Sequence, residues 1–122
     1  MSDPLRLVVF DVDGTLVDSR THIFTSMTNA FEDMGLAVPE DQAILRGVGL
    51  SLPEMMHHLV PDAPFDVQVA LAARYREQFF ANQTAGGVAA EPPFFPGMRA
   101  VLEQLRTDDF TLLAMATGKS RR

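Results

Sequence analysis

Leu5-Arg6-Leu7-Val8-Val9-Phe10-Asp11-Val12-Asp13-Gly14-Thr15-Leu16-Val17-Asp18-Ser19 is the stretch whose reading decides the fold. Leu5 to Phe10 is a short apolar run with two adjacent valines, stopped by Asp11. Such a run reads as a strand buried on both faces of a parallel sheet. Asp11 to Asp18 is turn-like and contains Gly14, and Ser19 then opens a helical pattern. Ile23, Met27, Ala30, Phe31 and Met34 recur at three- and four-residue spacing, with Gly35 just past them as a C-cap. Ligands of open parallel sheets bind beyond the carboxyl ends of the strands, which is where Asp11 and Asp13 fall.

Working outward, Pro39-Glu40-Asp41 opens a short helix that runs to Arg46 and is broken by Gly47-Val48-Gly49. Ser51-Leu52-Pro53-Glu54 matches a capping box and predicts a helix from Leu52 to about Leu59. Pro61 to Pro64 is a linker, Asp66 to Gln83 a further helix, and Ala85-Gly86-Gly87 its end. Glu91-Pro92-Pro93-Phe94-Phe95-Pro96-Gly97 is rigid connection, too rich in proline for a helix or sheet interior. A helix from Met98 to Leu105 and a second buried strand, Phe110 to Ala116, complete the pattern before Thr117-Gly118. A parallel pair needs a crossover of only about a dozen residues. The excess between the two strands therefore reads as an inserted helical subdomain, and the helix after Gly97 as the right-handed crossover. The expected fold is α/β: a partial Rossmann-like parallel core with two strands (1–19 and 92–122), carrying an α-helical cap (20–91).

Composition narrows the partners. The 122 residues are 47% apolar and 21% charged, which is soluble and globular in character rather than disordered. A net charge of −6 disfavours nucleic acid and anionic membrane as partners, since both call for a basic stripe. With no cysteine there is no disulfide, thiolate metal site or cysteine nucleophile. The amino terminus lacks the basic-then-apolar layout of a secretion signal, and no apolar run is long enough to span a bilayer. The expectation is a cytoplasmic protein.

Asp11 and Asp13 stand two apart, so on extended backbone their side chains point the same way. An isolated Asp-x-Asp after a strand is also what a loop cap or Asx-turn looks like. The longer stretch Phe10-Asp11-Val12-Asp13-Gly14-Thr15-Leu16 is more specific: it resembles the first motif of the haloacid dehalogenase superfamily, Asp-x-Asp-Gly-Thr-Leu after an apolar strand. Leu112-Leu113-Ala114-Met115-Ala116-Thr117 resembles the second motif, an apolar strand ending in Ser or Thr. A helical insertion between the two, with return at Phe95-Pro96-Gly97, is similar to the subgroup that includes phosphoglycolate-phosphatase-like and β-phosphoglucomutase-like enzymes.

The resemblance implies roles. Asp11 would attack phosphorus to give an aspartyl-phosphate, being ionised at neutral pH without an activating base. Asp13 would protonate the leaving alkoxide and then deprotonate the hydrolytic water, a role that burial beside a second carboxylate favours. The Asp11 carboxylate and the Asp13 backbone carbonyl would hold Mg²⁺, a hard cation suited to oxygen. Thr117, with Gly118 and Lys119, would hold the phosphoryl oxygens. The substrate implied is a small phosphorylated metabolite such as phosphoglycolate.

Arg46 carries two readings. In the resembled subgroup the loop between cap helices helps select the substrate, and Arg46 would meet an anionic group there. A cation at a helix C-terminus also favours the helix dipole on its own account. His57 and His58 point about 100° apart on a helix and read as surface or packing rather than metal ligands. Met55, Met56, Phe79 and Phe80 read as cap core. Gly47-Val48-Gly49 is not a dinucleotide fingerprint, having no preceding strand and no third glycine.

The resemblance also calls for a lysine and late acidic metal ligands beyond the second strand, so the chain reads as the front portion of such an enzyme. On that reading the rest of the fold comes from more polypeptide or by complementation or strand exchange with another chain, and residues 1–122 alone are almost inactive. The alternatives are a phosphomutase, which returns the phosphoryl group to its substrate, and a non-catalytic fragment. A response-regulator receiver is a poor fit, because it lacks the cap and does not carry Gly-Thr-Leu after a first-strand nucleophile.

Overall fold

The computed structural model describes residues 4–84 and 93–118. In chain order the elements are β1 (Arg6–Asp11), α1 (Arg20–Asp33), α2 (Asp41–Gly47), α3 (Leu52–Leu59), α4 (Phe65–Thr84), α5 (Met98–Arg106) and β2 (Thr111–Ala116). The described residues divide into two compact units, 4–18 with 93–117 and 19–84 with 118.

The first unit is a two-stranded parallel sheet with α5 as its crossover helix. Its register is fixed from Arg6 opposite Thr111 to Asp11 opposite Ala116. Near the start of the strands the Arg6 guanidinium donates to Asp108 at 2.6 Å, and the Arg6 amide donates to the Phe110 carbonyl at 2.8 Å. The Phe110 amide, the Thr111 hydroxyl and Arg6 together hold the Asp108 carboxyl below its ordinary value. A groove of about 390 Å³ lies between α5 and the sheet, lined by Phe10, Phe94, Leu102, Leu113 and Met115 among others.

The expectation that both strands are buried on both faces does not hold. Leu7 is 63% exposed, Leu112 54% and Met115 71%. Two strands and one helix cannot enclose a sheet, so apolar residues selected for burial meet solvent among the described residues. Among the described residues of this unit, Leu16 is the one apolar side chain that is buried.

The second unit holds the core. Met27, Ala30, Phe31, Ile44, Met55, Met56, Leu71 and Phe79 are buried together, with Phe24, Leu59 and Phe80 partly buried against them. No strand occurs in its described residues. Helix α1 ends in a Schellman arrangement: the Gly35 amide donates to the Glu32 carbonyl at 3.0 Å and the Leu36 amide to Phe31 at 2.9 Å. Gly35 stands at φ +67°, where a residue without Cβ is strongly favoured. The capping box of α3 forms as the sequence predicts, with Glu54 accepting from the Ser51 amide at 3.1 Å and the Ser51 hydroxyl accepting from the Glu54 amide at 3.5 Å. The Ser51 hydroxyl and amide hold the Glu54 carboxyl below its ordinary value. Gly47 does not break α2 but closes it: it is buried, and a Cβ there would lie 2.0 Å from the Met55 sulfur. The end predicted for α4 at Ala85-Gly86-Gly87 lies outside the described residues.

Candidate active site at the carboxyl end of the sheet

Asp11 is the last residue of β1 and shares a row with Ala116, the last residue of β2. Thr117 follows at once, so the parallel register brings Asp11 and Thr117 to the same end of adjacent strands. Neighbouring strands lie about 4.8 Å apart. Register decides this juxtaposition, because the two strands must end in step for Thr117 to follow directly on the row that Asp11 shares with Ala116. The Asp11 carboxylate is exposed, and its Oδ1 accepts from the Val12 amide at 2.9 Å.

The strand ends at Asp11, so Asp13 does not continue the extended backbone on which the same-direction expectation rests. Asp13 sits in a tight turn, because the Val12 carbonyl accepts from the amides of Thr15, Leu16 and Val17 at 3.2, 2.9 and 3.1 Å. Gly14 takes φ +80° and donates its amide to the Val17 carbonyl at 3.0 Å. Asp13 and Val17 form a parallel bridge across the turn, and Asp13 is half-buried. Val17 forms an antiparallel bridge to Phe94 on its other side. Two hydrogen bonds flank that bridge, Asp18 amide to Pro93 carbonyl at 2.8 Å and Phe95 amide to Leu16 carbonyl at 3.0 Å. This pairing is not legible in the sequence: the prolines around Phe94 signal connection, and nothing local reveals a partner so distant in the chain.

The other expected site residues divide. Gly118 is described and follows Thr117, while Lys119 lies outside the described residues. Arg46 is exposed in the last turn of α2, in the other unit. His58 Nε2 lies 3.1 Å from the Ala43 carbonyl, a packing contact between α3 and α2. The sequence also gave no sign of a polar seam in the helical core: Ser19, His22 and Ser26 are buried, His22 lies 5.4 Å from the Phe79 ring, and Asn82 donates to the Ser26 hydroxyl at 3.0 Å. Their spacing along α1 interleaves with the apolar positions, so the apolar period conceals them.

As for a metal, no group of three or more His, Cys, Asp or Glu is gathered among the described residues. The oxygens at the sheet end suit a hard cation that keeps several waters, as Mg²⁺ does, rather than a closed four-ligand site. No helix among the described residues is long and apolar enough to cross a membrane.

Residues 8–122 match the family described as haloacid dehalogenase-like hydrolase. This chain belongs to that family. Its haloacid dehalogenase-like relatives include the probable phosphatase IndB of Dickeya dadantii, 32% identical over 93% of this chain and 48% of IndB. The tyrosine-protein kinase PtkA of Mycobacterium tuberculosis is 31% identical over 94% of this chain and 36% of PtkA. Among solved structures, a predicted phosphoglycolate phosphatase from Haemophilus somnus aligns with a TM-score of 0.77 at 20% identity, covering 93% of this chain and 51% of that one. The chain thus spans about half the length of these relatives, or less. The fold is that of the haloacid dehalogenase-like hydrolases, an α/β Rossmann-like core with inserted helices.

Proposed function

We propose that the protein to which this chain belongs is a Mg²⁺-dependent phosphomonoester hydrolase of a small metabolite, working through an aspartyl-phosphate on Asp11. The observation that carries the reading is the placement of Asp11 and Thr117 at one end of the parallel pair, with Asp13 in the turn that follows. Membership of a hydrolase family with a phosphatase relative at 32% identity supports it.

On this reading the exposed Asp11 carboxylate attacks phosphorus, and the ester bond to the leaving oxygen breaks. One Asp11 oxygen already accepts from the Val12 amide, which fixes the carboxylate's rotation and leaves the other oxygen for attack. Asp13 delivers a proton to the departing alkoxide and later withdraws one from the water that cleaves the acyl phosphate. The Thr117 hydroxyl holds a phosphoryl oxygen, with Gly118 and Lys119 assigned beside it. The Asp11 carboxylate and the Asp13 carbonyl would hold Mg²⁺, which supplies charge neutralisation for the transferring phosphoryl group. That neutralisation is needed: at an effective dielectric near 20, two like unit charges about 4 Å apart repel by roughly 4 kcal/mol. The substrate class is a small phosphorylated metabolite, phosphoglycolate being the first to test, and the compartment is the cytoplasm. Arg46 is assigned to substrate selection. The remaining strands and metal ligands come from further polypeptide, in the same chain or a complementing one.

A second reading keeps the aspartyl-phosphate but changes the acceptor. Similarity to a tyrosine-protein kinase favours transfer to a hydroxyl other than water, as a phosphomutase also performs. Incubation with phosphoglycolate, a sugar monophosphate and a tyrosine peptide, followed by phosphate release and product mass, separates the readings. Free phosphate with the alcohol supports hydrolysis, and a phosphorylated acceptor supports transfer. No covalent phosphate on the Asp11 peptide in any of them sinks both.

A further inference from the structure

The turn that carries Asp13 is held from outside by residues that the sequence motif does not contain. We infer that Phe94 and Arg99 are positioning residues for the phosphoryl-transfer site, acting on Asp13 through Val17. The inference rests on the proposed roles of Asp11 and Asp13.

Val17 is the middle of three short segments laid side by side, with Asp13 parallel to it on one flank and Phe94 antiparallel on the other. The Asp13 backbone is therefore located by Val17, and Val17 by the Pro93–Phe95 segment through the 2.8 and 3.0 Å hydrogen bonds on either side of the bridge. The Phe94 ring is not fixed by burial, since the residue is 38% exposed. What seats it is the Arg99 guanidinium, whose Cζ lies 4.9 Å from the ring centroid, within the range of a cation–π contact. Arg99 is itself anchored in the first turn of α5, which opens with the Met98 amide donating to the Phe95 carbonyl at 3.1 Å. Helix α5 thus grips Phe94, Phe94 holds Val17, and Val17 sets where Asp13 stands.

Neither Phe94 nor Arg99 has to touch the substrate. Their contribution is geometric, and geometry is costly to lose: a shift of about 1 Å in a reacting group lowers a rate by about a hundredfold. Arg99 holds only the ring, so losing it should produce a smaller shift, with a fall in kcat of about tenfold and little change in KM.

The test uses the protein in the form that turns over phosphate esters. First, wild type is checked for covalent phosphate on the Asp11 peptide. Its absence removes the reading of the site, and this inference with it. With wild type labelled and active, Arg99→Ala is expected to lower kcat about tenfold with KM within about twofold. Arg99→Lys, which keeps a cation, and Phe94→Trp, which keeps a ring face, are expected to restore most of the rate. Phe94→Leu keeps the apolar bulk without the ring and should behave like Arg99→Ala even where Phe94→Ala fails to fold. Retention of wild-type kcat by both Arg99→Ala and Phe94→Leu overturns the inference, as does an equal loss in Arg99→Lys and Phe94→Trp.

Discussion

An amide in place of the Asp11 carboxylate keeps the acceptor used by the Val12 amide, because the Asn carbonyl oxygen takes the same hydrogen bond. It is nearly isosteric and has no anionic oxygen to attack phosphorus. Asp11→Asn in the active protein is therefore expected to leave the fold intact and reduce kcat by orders of magnitude, read by circular dichroism and phosphate release. Retention of more than about a tenth of the wild-type rate would falsify the nucleophile assignment. Buried residues of the helical unit behave in the opposite sense. Leu71 is fully enclosed, so Leu71→Ala is expected to cost about 2–5 kcal/mol in a urea melt. At this scale the sequence was informative where a residue's own chemistry decides its place: an aspartate closing an apolar strand, or a glycine where φ is positive. It was silent on His22 and Ser26, whose burial depends on which face of α1 meets α4.

Helix ends give a pH signature. Glu54 has its carboxyl held below its ordinary value by the Ser51 hydroxyl and amide. A group depressed in the folded state stabilises above its unfolded pKa, and that stabilisation is lost as pH falls through the folded value. Glu54→Gln should therefore flatten the part of the stability curve that declines around and below about pH 4.5, where the unfolded carboxyl binds protons more readily than the folded one. Thermal melts of both proteins between neutral pH and pH 3 test this, and parallel curves would reject it. Ser51→Ala removes the cap itself and should cost about 1 kcal/mol at neutral pH. Where α2 meets α3, Gly47→Ala forces a methyl toward the Met55 sulfur, 2.0 Å from the ideal Cβ position. Overpacking of this kind costs about 1–3 kcal/mol. The capping box and the α1 period were readable because they are local. The seat of Gly47 against Met55 was not, because a glycine after an arginine looks the same whether it breaks a helix or packs one.

For the whole molecule, composition of the strands announces a buried sheet, while the two strands described stay open on apolar positions such as Leu7 and Leu112. A strand's sequence records what its faces require and not which element supplies it. Residues 1–122 on their own should consequently bind a dye such as ANS strongly, and Leu7→Ser with Leu112→Ser should weaken the signal at little cost in stability. Undiminished fluorescence in the double variant would place the dye elsewhere. The same solution should turn over phosphate esters far more slowly than about 1 s⁻¹, an ordinary enzyme rate. The bridge between Val17 and Phe94 has a further consequence, for inheritance. It ties together the two points at which the chain leaves the sheet unit and returns, beside Asp18 and Pro93. A tied root makes what hangs from it exchangeable: doubling the length of an inserted segment adds only about 0.6 kcal/mol of closure entropy. Helices gained, lost or swapped between these anchors leave the turn after Asp11 with its hydrogen bonds intact. A lineage can then vary the inserted helices without re-inventing the turn that follows the first strand.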